Sequence, residues 1–186
     1  MIVGHGDIAG VIPDREDILF FASGVSNSGC TDEGEYVREM KLLLEQPRDS
    51  HLVYFSSLSI FYADTRYTIH KHIMEDMIKR LFERYCILRL GNITWGTNPH
   101  TLINYLREKI RRGEPCEIRD EYRYIVEPME LLHWINLMPD WSCEMNVVGK
   151  RMKVMEVVRE YCMPKGTKWY GKSINYNSVP LLQVRG

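Results

Sequence analysis

The sequence predicts an α/β protein in which a parallel sheet is flanked by helices, and three observations lead to this class. Short apolar runs typical of buried strands alternate along the chain with segments of helical periodicity. A glycine-rich turn directly follows the first apolar run, and a pair of serines follows the run at residues 51–55. The chain has 186 residues, of which 45% are apolar, so one domain with a core large enough to fold alone is expected.

The predicted amino-terminal strand, residues 1–3, leads into a loop of sequence GHGDIAG at residues 4–10. Glycines let backbone N–H groups approach a diphosphate, and a small residue such as Ala9 is accepted at the third glycine position. A tight turn is the other interpretation of this pattern. Only seven residues, 11–17, separate the loop from the next predicted strand at 18–21. A complete dinucleotide-binding half needs a helix, a second strand and an acidic or basic residue in this interval, so that half must be shortened.

The segment 23–34 is rich in Ser, Gly and Asn and should form a loop over the site. Asp32 or Thr31 can cap the helix predicted at 35–45. Four residues of this helix share an apolar face and are expected in the core: Val37, Met40, Leu43 and Leu44.

The most informative pattern lies between residues 51 and 90. A buried strand at 51–55 is followed by a helix at 67–82 and by a second buried strand at 86–90. Tyr67 and Lys71 are about one helical turn apart and project from one face, whereas His70 lies beside that face and is predicted at the helix surface. If that face looks at the end of the preceding strand, Ser57, Tyr67 and Lys71 converge.

These three side chains suggest proton transfer. A phenol ordinarily titrates near ~10, and a neighbouring ammonium lowers the pKa of a phenol, which makes it a usable acid or base nearer neutral pH. The Ser57 hydroxyl could hydrogen-bond the substrate oxygen that exchanges the proton. Because Tyr-x-x-x-Lys also occurs by chance in many helices, the prediction depends on the flanking strands and the glycine loop.

Three stretches resemble the extended short-chain dehydrogenase/reductases, which include nucleotide-sugar epimerases, dehydratases and reductases. These stretches are FSSLSIFY at 55–62, YTIHK at 67–71, and ILRLGN at 87–92. In that family a strand ends with Ser-(Ser/Thr)-x-x-Val-Tyr-Gly before the Tyr-x-x-x-Lys helix. On this match Ser57 corresponds to the catalytic Ser or Thr, and Tyr62 stands where the family has glycine. The resemblance implies a trimmed Rossmann-like sheet with a small carboxy-terminal substrate lobe.

The resemblance also implies roles for individual residues. Tyr67 would be the catalytic acid or base, Lys71 its electrostatic partner and a ligand of the cofactor ribose, and Ser57 the hydrogen-bond donor to the sugar oxygen. Residues implied in cofactor binding are Gly4, Gly6, Asp7, Ile8, Ala9, Ser23 and Lys71. Residues implied in substrate binding are Asn92 and Arg123, whose guanidinium is well shaped for a diphosphate.

The implied function is that of an NAD(P)-dependent oxidoreductase or epimerase acting on a nucleotide-activated sugar. Positions 58 and 59 are Leu and Ser and lack the acidic pair of a dehydratase, which favours a reductase or epimerase. NAD or NADP is the implied cofactor, and the choice between them stays open, as does its binding, because the adenosine-binding half is shortened. The alternative is a non-catalytic subunit that binds a sugar nucleotide or regulates an enzyme.

The expected organisation is a single domain over residues 1–186. A reduced Rossmann-like core would occupy residues 1–92, and the substrate lobe residues 93–186, with a strand near 143–149 returning to the sheet and a helix over 152–161. The tail at 165–172 mixes bases and aromatics, a composition that could stack a base, bind single-stranded nucleic acid or form a solvated loop.

Composition excludes several classes of function. A net charge of −1 gives no general attraction to nucleic acid or anionic membranes. Five cysteines without a Cys-x-x-Cys pair indicate neither a disulfide framework nor a zinc site, and no metal site is predicted. No run approaches the ~18 apolar residues of a membrane span, and no signal peptide is recognised, so a reducing cytoplasm is expected. In the family the Tyr-x-x-x-Lys helix often packs in a dimer, so a homodimer is one expected assembly.

Overall fold

A five-stranded parallel sheet forms the centre of the computed structural model, which describes residues 1–116 and 118–163. In spatial order its strands are β1 (Ile2–Val3), β2 (Leu19–Phe21), β3 (His51–Ser57), β4 (Arg84–Leu90) and β7 (Cys143–Val147). Every neighbouring pair runs parallel. This confirms the predicted α/β class with a Rossmann-like sheet, including the strand near 143–149 that returns to the sheet.

Helices cover both faces of this sheet, as parallel strands require. Helices α1 (Glu33–Leu44) and α2 (Arg66–Leu81) connect β2 to β3 and β3 to β4. Their inner residues pack with Leu52 and Tyr54 of β3. The alternate residues Val53 and Phe55 pack on the opposite face with helix α4 (Pro128–Asn136). The alternation of side chains along β3 therefore assigns each helix to its layer.

The connection from β1 to β2 is a loop without a helix or a strand between residues 4 and 18. Strand β1 pairs directly with β2, with Ile2 opposite Phe20 and Val3 opposite Phe21. The chain thus passes from the first strand straight to the strand that leads towards α1. The shortening that the sequence predicts between the glycine loop and the next strand is confirmed.

A second, smaller sheet consists of β5 (Asn92–Ile93), β6 (Tyr122–Val126) and β8 (Lys150–Lys153), in the order β5-β6-β8. Helix α3 (Leu102–Arg111) and helix α5 (Val154–Val157), which continues as a π-helical segment to Cys162, pack against this sheet. The predicted helix over 152–161 is therefore wrong at its start, because Met152 and Lys153 pair in β8. The predicted features at 165–172 lie outside the described residues.

Helix α1 presents a different face to the core from the one predicted. Asp32 caps it by accepting the Gly34 N–H at 2.8 Å, and its buried residues are Tyr36, Glu39 and Leu43. Val37 and Leu44 are 39% and 50% exposed, so their predicted place in the core is wrong. The neighbouring strand decides the rotation of the helix, because Tyr54 hydrogen-bonds Glu39. None of the helices in the described part of the chain is long and apolar enough to cross a membrane.

Candidate active site

A cleft of about 1110 Å³ opens where the strands of the large sheet end. The loops after β1, β2, β3 and β4 line it, together with the first two turns of α2 and the start of α3. Ligands of open parallel sheets bind at this carboxyl edge, because the loops and helix N-termini that leave the strands meet there. Ser57, Tyr67 and Lys71 all line this one cleft.

Ser57 is the last residue of β3 and begins the 3-10 turn Leu58–Phe61. Its Oγ accepts the backbone N–H of Ser59 at 3.2 Å and lies 2.8 Å from the Ser59 Oγ. These contacts fix the hydroxyl at the end of the strand, beside the cleft. Ser57 is partly exposed, so a substrate oxygen can reach it.

Tyr67 stands in the first turn of α2, whose start is defined by a capping box. Thr65 accepts the Thr68 N–H at 3.2 Å, and the Thr68 hydroxyl accepts the Thr65 N–H at 2.9 Å, which satisfies two backbone donors at the helix start. The Tyr67 ring centroid lies 5.6 Å from Lys71 Nζ. The structure therefore places the Tyr67 ring and the Lys71 ammonium side by side on α2.

Lys71 is almost entirely buried, with 2% of its surface exposed, and it is engaged by two further residues. Its Nζ donates to Glu39 Oε1 at 3.1 Å and to the Tyr54 hydroxyl at 2.8 Å. The Tyr54 hydroxyl in turn donates to Glu39 Oε1 at 2.7 Å. Tyr54 and Glu39 are fully buried, so Lys71 belongs to a closed triangle of polar groups behind the cleft.

His70 extends this buried group and corrects the prediction that it lies at the helix surface. It is fully buried, and its Nε2 lies 3.0 Å from Glu39 Oε2. Its ring centroid lies 4.7 Å from that of Tyr36, with the two rings tilted by 55°, and its Nδ1 has no hydrogen-bond partner among the described residues. The prediction fails because α1 packs against this side of α2 and covers it.

The electrostatics of the buried group follow from its contacts. Burial alone would raise the pKa of Glu39, but the Lys71 ammonium, the His70 hydrogen bond and the Val25 N–H lower it to about 2. Burial alone would lower the pKa of Lys71, yet the Glu39 carboxylate outweighs it and the net shift is upward. Burial and the same carboxylate raise the pKa of Tyr54 well above its usual range. Glu39 and Lys71 thus form a stable ion pair at neutral pH.

The loop after β2 closes over this ion pair. The Val25 N–H donates to Glu39 Oε2 at 2.7 Å. A Cβ on Gly24 would lie 2.9 Å from both Glu39 Oε1 and Lys71 Nζ, so only glycine lets the backbone approach so closely. Ser23 lines the cleft, and its Oγ and carbonyl oxygen accept hydrogen bonds from Arg38.

The glycine loop contributes only some of its predicted residues to the cleft. Gly6, Asp7 and Ile8 line it, whereas Gly4 and Ala9 do not. Gly4 has φ +123°, and a Cβ there would lie 2.5 Å from the Ala22 carbonyl oxygen, so it serves the close packing of β1 on β2. The loop closes one turn, with the Gly10 N–H donating to the Gly6 carbonyl at 3.0 Å, and no helix dipole follows it.

Asp7 holds the loop that follows β5. Its carboxylate accepts the N–H groups of Thr97 at 3.0 Å and Asn98 at 3.1 Å, and its carbonyl accepts the Trp95 indole N–H at 2.9 Å. Gly96 allows this approach, since a Cβ there would lie 2.0 Å from Asp7 Cγ. Asp7 therefore joins two walls of the cleft in addition to lining it.

The two residues predicted to bind substrate also line the cleft. Asn92 donates to the Tyr124 carbonyl at 3.4 Å. Arg123 pairs with the Glu121 carboxylate and lies 5.6 Å from the Tyr62 ring centroid. Arg123 and Tyr62 also border a neighbouring cavity of about 480 Å³, so the side chain at the family's glycine position stands where the two cavities meet.

Several residues that line the cleft could hold a cofactor. A Cβ on Gly6 would meet nothing within 4 Å, which leaves open space over the loop backbone, and Ser23 and Lys71 line the same cleft. No strand or helix lies between residues 4 and 18 to form an adenosine site. Among the described residues, no group of three His, Cys, Asp or Glu could hold a metal ion.

Comparison with known proteins supports the fold. The chain matches no family model and no curated protein sequence. Among solved structures it is similar to WbmG from Bordetella bronchiseptica in complex with NAD and UDP, with a TM-score of 0.56 and 15% identity over 84% of this chain and 60% of WbmG.

Two further solved structures show the same similarity. One is dTDP-4-dehydrorhamnose reductase from Bacillus anthracis with NADP, with a TM-score of 0.56 and 14% identity over 77% of this chain and 61% of the reductase. The other is UDP-glucose 4-epimerase from Thermus thermophilus with NAD, with a TM-score of 0.55 and 17% identity over 77% of this chain and 60% of the epimerase. The chain thus shares its Rossmann-like fold with NAD(P)-dependent epimerases and reductases and spans about three fifths of their length.

Sequence reasoning missed Glu39, Tyr54 and His70. A signal was present for Glu39, because a carboxylate lies between Tyr36 and Leu43 on one helical stripe and a charged residue on a core-facing stripe needs a partner. No sequence pattern identified Tyr54, which lies in the apolar run at 51–55 like an ordinary residue of a buried strand. Together with Lys71, the arrangement can hold one ammonium at a fixed position beside a phenol.

Proposed function

We propose that the protein is an NAD(P)-dependent oxidoreductase or epimerase of the extended short-chain dehydrogenase/reductase family that acts on a nucleotide-activated sugar. The observation that carries this proposal is the convergence of Ser57, Tyr67 and Lys71 on one cleft at the carboxyl edge of a parallel sheet. The fold shared with epimerases and reductases solved with NAD or NADP supports it.

In the proposed reaction the residues of the cleft have separate roles in cofactor binding and proton transfer. The backbone of Gly6 and Ile8 and the side chains of Ser23 and Lys71 hold the cofactor, which when bound supplies hydride chemistry at its nicotinamide ring. Ser57 donates a hydrogen bond to the reacting sugar oxygen, and Tyr67 moves a proton to or from the same oxygen. Lys71 holds a positive charge within 5.6 Å of the Tyr67 ring centroid.

Asn92 and Arg123 form the substrate side of the cleft. Arg123 is the stronger candidate for the diphosphate of a sugar nucleotide, because a guanidinium binds phosphate oxygens in pairs. Arg123 pairs with the Glu121 carboxylate, so a diphosphate would compete with Glu121 for the guanidinium. We therefore expect substrate affinity to fall with rising salt and to fall further in Arg123→Ala.

Titration of the purified protein with NADH and with NADPH, followed by nicotinamide fluorescence, tests this function. We expect a saturable signal with one of them, and weaker affinity than in a protein with a complete adenosine site. Tyr67→Phe should keep that affinity and abolish turnover of the sugar nucleotide. Unchanged turnover in Tyr67→Phe would remove the residue from its role, and the lack of a saturable signal with both cofactors would contradict the proposal.

The second candidate function is a non-catalytic subunit that binds a sugar nucleotide. The glycine loop favours it, because no helix follows that loop and the Asp7 carboxylate is engaged by Thr97 and Asn98. Calorimetric titration with UDP-sugars and dTDP-sugars, with and without NADPH, separates the candidates. Sugar-nucleotide binding that is independent of cofactor, in a protein that binds neither cofactor, would support the subunit.

We also propose that the protein forms a homodimer through the outer faces of α1 and α2. These faces expose the apolar side chains Val37, Leu44, Ile69 and Ile73, which lie one or two helical turns apart on each helix. Light scattering coupled to size-exclusion chromatography should give about 44 kDa, twice the 21.9 kDa of the chain. A monomer at micromolar concentration would contradict this assembly.

A further inference from the structure

Two cysteines that lie far apart in the sequence meet on the large sheet. Cys86 of β4 and Cys143 of β7 are 57 positions apart, and the register of the two parallel strands places them opposite each other. Their sulfur atoms are 3.2 Å apart, with the Cys143 thiol directed at Cys86 Sγ. Neither residue lines the cleft, so the pair has no part in the proposed cofactor and substrate sites.

The backbone at this pair already has the geometry that a disulfide needs. Neighbouring strands of a sheet lie about 4.7–4.9 Å apart, and the Cα atoms of disulfide-bonded cysteines are usually about 4.4–6.8 Å apart. Both cysteines pack in the core layer that contains Leu131 and Ile135 of α4, so their side chains lie on the same face of the sheet. The two sulfurs therefore reach bonding distance when they approach by about 1 Å.

The two thiols differ in their access to solvent. Cys86 is fully buried, and burial, together with the contact to Cys143, raises the pKa of its thiol. Cys143 is partly exposed and begins the edge strand of the five-stranded sheet. Small oxidants react with accessible cysteines in the thiolate form. Cys143 is therefore the thiol that such an oxidant reaches, and Cys86 lies behind it in contact with its sulfur.

The other cysteines of the chain have different surroundings. Cys30 and Cys162 direct their thiols at backbone carbonyl oxygens, that of Asp32 at 3.8 Å and that of Ile103 at 3.6 Å. Cys116 packs against the core of the smaller sheet, as Cys162 does. All five cysteines are free, so the other three serve as an internal comparison for the pair on the large sheet.

We propose that Cys86 and Cys143 form a redox modification site at which Cys143 reacts first with a hydroperoxide and the two sulfurs then close into a reversible disulfide that ties β7 to β4. Strand β7 lies at the edge of the large sheet, and the next strand along the chain, β8, belongs to the smaller sheet. The bond therefore fixes the edge strand from which the chain enters the smaller sheet. Because the pair lies outside the cleft, its oxidation is independent of the proposed function.

Atoms and electrons balance with one hydroperoxide for each disulfide. The Cys143 thiolate attacks one peroxide oxygen, so that an S–O bond forms, the O–O bond breaks, and water or an alcohol leaves with the proton that the thiol lost. The Cys86 sulfur then attacks the Cys143 sulfur, so that the S–S bond forms and the S–O bond breaks. The hydroxyl group leaves as water with the Cys86 proton. The two thiols together lose two electrons to the peroxide, and a dithiol reverses the bond by exchange.

Peptide mapping of the folded, full-length protein tests the site directly. Protein treated with hydrogen peroxide is blocked with an alkylating reagent and digested with trypsin, which releases Cys86 on peptide 85–89 and Cys143 on peptide 124–150. We expect a cross-link between these two peptides, lighter than their sum by two hydrogens and cleaved by dithiothreitol. It should form before any cross-link that contains the other three cysteines. The absence of this cross-link, or equal pairing among all five cysteines, would overturn the proposal.

Two variants test the order of the steps. In Cys86→Ala the resolving thiol is missing, so Cys143 should stop at a sulfenic acid that dimedone labels. In Cys143→Ala the buried Cys86 should stay unlabelled in the folded protein. Cys30→Ala is the matched control and should form the cross-link at the wild-type rate. Dimedone labelling of Cys86 in folded Cys143→Ala would overturn the assigned order, and the wild-type mapping still decides the site if a variant does not fold.

Urea unfolding measures the tie between the strands. The oxidised wild-type protein should unfold at a midpoint about 1 M higher than the reduced protein, because the bond closes a long loop and restricts the unfolded chain. Dithiothreitol should remove the shift. Peroxide also oxidises methionine, so Cys86→Ala treated in the same way is the reference and should show no upward shift. Equal midpoints for the cross-linked and reduced wild-type protein would show that the bond does not tie β7 to β4, and would overturn the proposal.

Discussion

Two buried ion pairs lie on successive turns of α2, and they differ in what they are connected to. The pair of Lys71 with Glu39 ends in the buried side chains of Tyr54 and His70 and borders the cleft. The pair of Glu75 with Arg89 continues outward, because Arg89 also contacts Glu144, which pairs with Lys79 at 2.6 Å. We call the first the sealed pair, because both of its side chains are almost fully buried, and it can hold a fixed charge beside a reacting group. The second pair reaches solvent through Glu144 and Lys79, and we infer that it links α2, β4 and β7.

The largest expected effect comes from breaking the sealed pair. Lys71→Met leaves the Glu39 carboxylate fully buried without its ammonium, and loss of one partner of a buried pair costs about 3–5 kcal/mol of unfolding free energy. Replacing both partners, by Glu39→Gln with Lys71→Met, should restore most of that stability, because no charge remains buried. Urea unfolding followed by circular dichroism measures both. A single variant as stable as wild type would show that the pair is not sealed.

Acid should weaken the sealed pair in a defined range. The pKa of Glu39 is about 2 in the folded protein and ordinarily near ~4.3 in an unfolded chain. A lowered pKa stabilises the fold above the unfolded value, and the contribution is lost as pH falls from ~4.3 towards ~2. The loss is on the order of 3 kcal/mol. The double variant lacks this carboxylate, so its stability measured by urea unfolding should decline less over that range; an identical decline would contradict the prediction.

Breaking the pair that reaches solvent should have a smaller effect. Arg89→Met removes the guanidinium from Glu75, but Glu75 keeps the Ser56 hydroxyl at 2.6 Å and Arg89 itself is 13% exposed at its side chain. We expect a loss of about 2 kcal/mol in unfolding free energy, below the range for a fully buried pair. Urea unfolding of Arg89→Met beside Lys71→Met compares the two pairs directly. Equal losses of unfolding free energy in the two variants would remove the distinction between the pairs.

Two glycine substitutions sharpen the comparison at the cleft wall. Gly24→Ala puts a Cβ 2.9 Å from both members of the sealed pair, and we expect it to cost about 1–3 kcal/mol, as overpacking does. Gly6→Ala is the matched control, since its Cβ meets nothing within 4 Å and stability should change by less than about 0.5 kcal/mol. Thermal unfolding compares them. If Gly6→Ala nevertheless weakens NADH binding, the glycine loop approaches the cofactor.

The sequence allowed the helices, strands and loops to be predicted, but not which residues contact one another between them. The strand at 51–55, the helix with Tyr67 and Lys71, and the short β1–β2 loop follow from apolar runs, helical periodicity and chain length, and all three are present. The buried sides of α1 and α2 did not follow, because Val37 and Tyr36 are both plausible core residues until the neighbouring strand is known. The pairing of Glu39 with Lys71 joins residues 32 positions apart, and local pattern carries no information about such a contact.

The central claim is that the shortened amino-terminal region still places a nicotinamide in front of Tyr67. The most direct measurement is the ¹³Cζ-tyrosine spectrum of the wild-type protein during titration with NADP⁺ and, separately, NAD⁺. We expect one of them to move the Tyr67 resonance to saturation and to leave in place the resonance of Tyr36, a buried residue of α1 that does not line the cleft. Binding of a cofactor, seen by calorimetry, that leaves the Tyr67 resonance unmoved would contradict it.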